Sequence, residues 1–105
     1  GTVAGELCRA CDMNRCVDRR VVMFGILDAM KHTHTDPADR EKPREAMSFV
    51  TLEDDSGMFE VILFPDTYRR IGDMFRDVGP YLVRGIVKHQ WDSLTLQLEE
   101  AVRCA

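Results

Sequence analysis

The stretch SFVTLEDDSGMFEVILFP, residues 48–65, constrains the fold more than any other part of the chain. Two runs flank the turn EDDSG, and in each the side chains change character with a period of two. That is the spacing of a strand rather than of a helix. Asp and Gly suit a tight turn, and Gly57 supplies a backbone conformation that other residues dislike. Pro65 stops the second run. The expectation is an antiparallel hairpin of strands 47–53 and 58–64. Alternation then assigns its faces. With Val50, Leu52, Phe59, Val61 and Leu63 inward, Phe49, Thr51, Glu60 and Ile62 form an outer platform.

The remaining text supplies more strands. Residues 4–16 read as a helix, with Leu7, Cys11 and Met13 on its buried side. Residues 21–30 favour a strand that continues to about residue 34, bent at Gly25. Residues 35–46, TDPADREKPREA, hold two prolines, seven charges and no large apolar side chain, and so form a long loop. Residues 66–79 read as a helix capped by Asp66, with Tyr68, Ile71, Phe75 and Val78 on one stripe. Gly79 and Pro80 end it. Strands follow at 81–87 and 94–99, joined by the polar loop KHQWDS. The order is three strands, a helix and two strands, and the first strand is long and kinked at a glycine. This order predicts an all-β fold, a five-stranded OB-fold Greek-key barrel. A helix lies between strands three and four, and a short helix precedes the barrel. Residues 1–20 would be a helical connector and residues 21–105 the OB-fold domain.

Charge limits the function. The chain has 105 residues and a net charge of −4. Basic and acidic residues balance everywhere except at Glu53, Asp54, Asp55 and Glu60, which carry the whole excess. There is no strong basic footprint, so any nucleic-acid binding should be modest. Asp54 and Asp55 are read as turn residues pointing to water, not as a catalytic pair. Their charge would turn a phosphate backbone toward the other rim. Cys8, Cys11, Cys16 and Cys104 fit no common zinc or iron–sulfur spacing. They read as reduced thiols on an amphipathic helix, and no metal or cofactor is expected. No apolar run approaches the roughly 18 residues of a membrane span. No secretion signal is visible, which points to the cytoplasm. The opening at Gly1 suggests a piece of a longer protein.

MSFVTLEDDSGMFEVILFPDTYRRIGDMF, followed by YLVRGIV, resembles the OB domain of the alpha (polymerase) subunit of bacterial DNA polymerase III. The likeness rests on Gly25, Met47, the run from Phe49 to Asp54, Gly57, Glu60, Val61, Phe64, Pro65, Tyr68, Leu82, Gly85 and Val87. It covers about residues 21–102. The FP-x-x-Y continuation separates it from the anticodon-binding OB domains of aminoacyl-tRNA synthetases. The resemblance implies a non-catalytic module of a replicative polymerase that binds single-stranded template DNA. Its partners would be that DNA, the rest of the polymerase subunit and other replisome proteins. The nucleotidyltransferase residues of such a parent belong to another domain. Two further readings are a protein-docking module within the replisome and an RNA-binding OB domain.

OB barrels grip single strands across strands two and three, between the loops that join strands 1–2 and 4–5. Phe49 and Trp91 are the expected stacking residues, with Thr51, Glu60 and Ile62 sharing the platform of Phe49. Lys31, Arg40, Lys42, Arg44, Arg84 and Lys88 would contact phosphate. His32 and His89 would hydrogen-bond to it, and with His34 they would converge at the two loops.

Overall fold

The computed structural model describes residues 3–90 and 92–105. The chain forms β1 (Glu6–Leu7), a 3-10 turn (Ala10–Arg15), β2 (Arg20–His34), β3 (Ala46–Asp54) and β4 (Gly57–Leu63). Then come α1 (Pro65–Ile71), a second 3-10 turn (Gly72–Met74), β5 (Tyr81–Gln90) and β6 (Ser93–Arg103). Hydrogen bonding runs β1-β2-β3-β4-β6-β5, and β5 returns to β2. Five strands, β2 to β6, therefore close into a barrel with the short helix between its third and fourth strands. This is the expected OB-fold architecture. The parallel pairing of β4 with β6 is the one that completes the Greek key.

Closure depends on what β2 does along its length. Residues 20–25 pair with β5 and residues 26–34 with β3, so the strand changes partners at Gly25. A Cβ at Gly25 would meet the Glu53 carbonyl oxygen at 2.9 Å, which is why the bend carries no side chain. Gly85 on β5 is tighter still, with its virtual Cβ 2.2 Å from the Gln97 carbonyl oxygen. Two bulges add curvature. On β2, Leu27 faces Leu52 and Ala29 faces Thr51, leaving Asp28 as the extra residue. On β6, Gly85 faces Leu98 and Arg84 faces Glu100, leaving Glu99 as the extra residue.

The core follows from alternation. Val21, Met23, Val50, Leu52, Phe59, Val61, Leu63, Val83, Val87, Leu96 and Leu98 are all buried in one cluster. The hairpin has the predicted inward set, and its register places Leu52 opposite Phe59 and Val50 opposite Val61. Tyr68 and Ile71 of α1 pack on the cluster from one end of the barrel. Phe75 stacks at a tilt against Tyr81, with ring centres 4.8 Å apart.

Several local expectations are corrected. The N-terminal segment is not an α-helix over residues 4–16. It is a two-residue strand and a 3-10 turn, so the α-helical stripe does not apply. Leu7 and Cys11 are exposed, while Cys8, Met13 and Cys16 are buried in the core. Phe64, not Asp66, occupies the N-cap of α1, and Asp66 lies in the first turn, bonded to Arg69. Regular helix ends at Met74, so Val78 leaves the stripe and is exposed. Residues 88–90 belong to β5 rather than to a polar loop.

Candidate nucleic-acid interface

Register brings the predicted platform together. On β3 and β4, Phe49 faces Ile62 and Thr51 faces Glu60. On β2, Lys31 faces Phe49 and Ala29 faces Thr51. Opposed residues share a face, so Lys31, Phe49, Ala29, Thr51 and Glu60 project outward together. They line one groove of about 480 Å3. Thr51 and Glu60 also line a second groove of about 750 Å3, which runs past Met13, Asn14 and Val17 to His89, Asp92 and Ser93. The two share their middle residues and form one trough from Lys31 to the β5–β6 end. Phe49 is half-buried on this outer face and is absent from the core cluster.

Ile62 does not serve the platform. Its side chain is outward by alternation yet fully buried, between Phe49 on β3 and Gln97 on β6. A central strand of a closed barrel has neighbours on both sides, and at this position they cover it. His32 also leaves the expected set. The Asp28 bulge shifts parity on β2, so His32 faces Ser48 on the core side of the sheet while Lys31 stays outward. Its Nδ1 lies 3.1 Å from the Ser48 hydroxyl and 3.0 Å from the Tyr68 hydroxyl. That ties it to the helix-capped end. His89 lines the far end of the trough and His34 a separate hollow with Met47, Phe49 and Phe64. The three histidines therefore do not converge.

Two expected phosphate ligands are already engaged. Lys88 Nζ lies 3.0 Å from Asp18. Arg84 lies 3.6 Å from Glu99, and Arg20 grips the same carboxylate with bonds of 2.7 and 2.9 Å. The bulge at Glu99 aims this side chain at both arginines. The bonds from Arg20 lead in holding its carboxyl below the usual range, against the opposing effect of burial. Arg40, Lys42 and Arg44 stay exposed on the loop between β2 and β3. Arg44 donates to the Thr35 carbonyl oxygen at 3.4 Å. Trp91 lies outside the described residues.

The acidic turn has a different task from the one expected. Asp54 is half-buried and accepts four hydrogen bonds. Its Oδ2 takes the Ala10 N–H at 2.8 Å, and its Oδ1 takes the N–H groups of Ser56 and Gly57 and the Ser56 hydroxyl. Burial pushes its carboxyl up, but these bonds outweigh that and hold it below the ordinary aspartate value. The Ser56 hydroxyl accepts the Cys11 N–H at 3.0 Å, and Arg9 bonds Asp55 at 3.1 and 3.3 Å. The turn thus clasps the start of the 3-10 turn against the barrel. This fixes Met13 in the core and forms one wall of the trough. The sequence carried half of this signal, because D-x-S-G is a self-bonding turn. Nothing in the sequence named Ala10, Cys11 or Arg9 as the other half.

Among the described residues no group of three or more His, Cys, Asp or Glu side chains is placed to hold a metal ion. No helix among them is long and apolar enough to cross a membrane. No protein-family model matches the chain, and no curated protein matches it either.

Proposed function

We propose that this chain is a non-catalytic OB-fold module of a polymerase III alpha subunit that binds single-stranded DNA weakly and without sequence preference. The observation that carries the reading is Phe49. It lies on the outer wall beside Lys31, in a trough that crosses β2, β3 and β4. An aromatic wall with a cation at its edge suits stacking of unpaired bases, since every base has a π-face. The resemblance described above supports the polymerase assignment and a place among replisome proteins in the cytoplasm. Weak binding follows from charge. Lys88 and Arg84 are ion-paired, Glu60 stands in the trough, and Lys31 with the three loop cations is the main basic supply.

Titrating the 105-residue chain with oligo-dT, followed by amide chemical shifts, tests this. Shifts should cluster at Lys31, Phe49 and Thr51. Phe49→Ala should weaken binding by about 1–3 kcal/mol, the usual worth of one stacked base. The salt slope should be no steeper than about −3, the single-strand value for four phosphate contacts. No response at low salt, or an unchanged affinity in Phe49→Ala, would overturn the reading.

A further inference from the structure

The first half of β2 has an outer wall that a solvated strand would not have. Phe24 and Ile26, two residues apart and outward, are 48% and 45% exposed. Ile26 faces Glu53 on β3, and Glu53 faces Met58 on β4, which is 67% exposed. Leu7, 77% exposed, faces Val22 from β1 on the same wall. Exposed Val78 lies alongside, its carbonyl taking the Leu27 N–H at 2.9 Å. Five large apolar side chains thus gather around half of one strand. Scattered exposed apolar residues are ordinary, but a contiguous set marks a contact surface.

The cations on this wall, Arg20 and Arg84 beside Val22, are both held by Glu99, which leaves Asp28 and Glu53 as its unpaired charges. Asp28, the extra residue of the bulge, lies two positions from Ile26, which faces Glu53, and the nearby Asp28 carboxyl raises that of Glu53, with Asp54 adding to it. Among the described residues neither Asp28 nor Glu53 has an ion-pair partner, while most arginines elsewhere on the barrel have one. Two carboxylates sharing one site repel each other, and a cation placed beside them relieves that repulsion. Around Ile26 and Met58 these two carboxylates stand without a cation over an apolar floor.

We propose that the outer wall formed by Phe24, Ile26 and Met58, with Asp28 and Glu53, docks a protein segment carrying aliphatic side chains together with lysine or arginine. A nucleic acid would bring phosphate against the carboxylates. In a second copy of this chain the cation beside a large apolar side chain is Lys31, next to Phe49, a single charge against two carboxylates. Most of its arginines are ion-paired, and its less encumbered loop cations, Arg40, Lys42 and Arg44, stand in a segment without a large apolar residue. The inference goes beyond the nucleic-acid reading and rests on Phe24, Ile26, Asp28 and Glu53, which lie outside the trough, whereas Met58 lines both wall and trough, so each can fail alone.

The test is an amide chemical-shift titration of the 105-residue chain with a seven-residue peptide alternating Leu and Lys. Parallel titrations use peptides with Glu in place of Lys or Ser in place of Leu, and oligo-dT. The Leu–Lys peptide should shift the amides of Phe24, Ile26 and Glu53. Its affinity should fall by about tenfold in Glu53→Lys and by a similar factor in Phe24→Ser, both exposed positions that leave the core intact. Binding should also weaken as acid protonates Glu53. Four results would overturn the proposal: an equal response to the Glu or Ser peptides, shifts confined to the Lys31–Phe49 trough, unchanged affinity in both variants, or oligo-dT shifting the Phe24 wall.

Discussion

At the scale of single residues, Asp54 shows how little of a side chain's work is visible locally. Its position in a turn accounts for two of its backbone bonds, to Ser56 and Gly57. The bond to Ala10 spans 44 residues of sequence and holds the N-terminal segment in place. Asp54→Ala leaves the orphan N–H groups of the 3-10 turn and of the hairpin turn without their acceptor. The expected loss is about 1–2 kcal/mol, the range for removing a capping side chain. Urea unfolding measures it, and an unchanged midpoint would deny the clasp. Asp54→Asn, which keeps an acceptor oxygen, should recover part of the loss. Cys8 makes a similar point. Burial, then the adjoining Cys16 thiol, push its thiol up to about 12, so it behaves as a buried hydrophobe and not as a nucleophile.

At the scale of elements, strand pairing decides what alternation leaves open. The hairpin of β3 and β4 was readable because its turn and its period agree, and its inward face came out as expected. The parity of β2 was not readable, because nothing in LDAMKHT announces that Asp28 is an extra residue. One bulge sends Lys31 to the outer wall and His32 to the helix end. Gly85 tests the tight packing of β5 on β6. Placing a methyl group 2.2 Å from the Gln97 carbonyl oxygen forces the strands apart at the bulge. Gly85→Ala should cost about 3 kcal/mol, the upper end for overpacking a close contact. Thermal unfolding checks it, and Gly57→Ala makes an informative comparison. Its virtual Cβ meets nothing within 4 Å, so the strain there comes only from its φ of +150°.

At the scale of the whole molecule, carboxylates of opposite tendency share the barrel. Asp54, Asp77 and Glu99 ionise more readily folded than free, Asp77 chiefly through its bond from Arg103. Their contribution is present at neutral pH and is lost as pH falls through their lowered folded values. Glu53 runs the other way, its carboxyl raised first by the neighbouring Asp28 carboxyl and then by burial and Asp54. It costs stability as pH rises from 4.5, the ordinary glutamate value, through its raised folded value. Urea midpoints measured against pH should therefore decline on acidification. Glu53→Gln should raise the midpoint slightly at neutral pH and not in acid. These groups are largely solvent-exposed, so each effect is small. Equal shifts at both pH values would contradict the assigned sign. Taken together, the sequence by itself determined the number of barrel strands, the hairpin, the inward residues of β3 and β4, and the helix between the third and fourth barrel strands. These follow from period and turn chemistry, which act between neighbours in the chain. Only the tertiary structure decided which cations are left to meet a ligand, which outward residue is covered, and what the acidic turn holds. Those depend on bulges and on partners tens of residues away, and a local pattern carries no record of them.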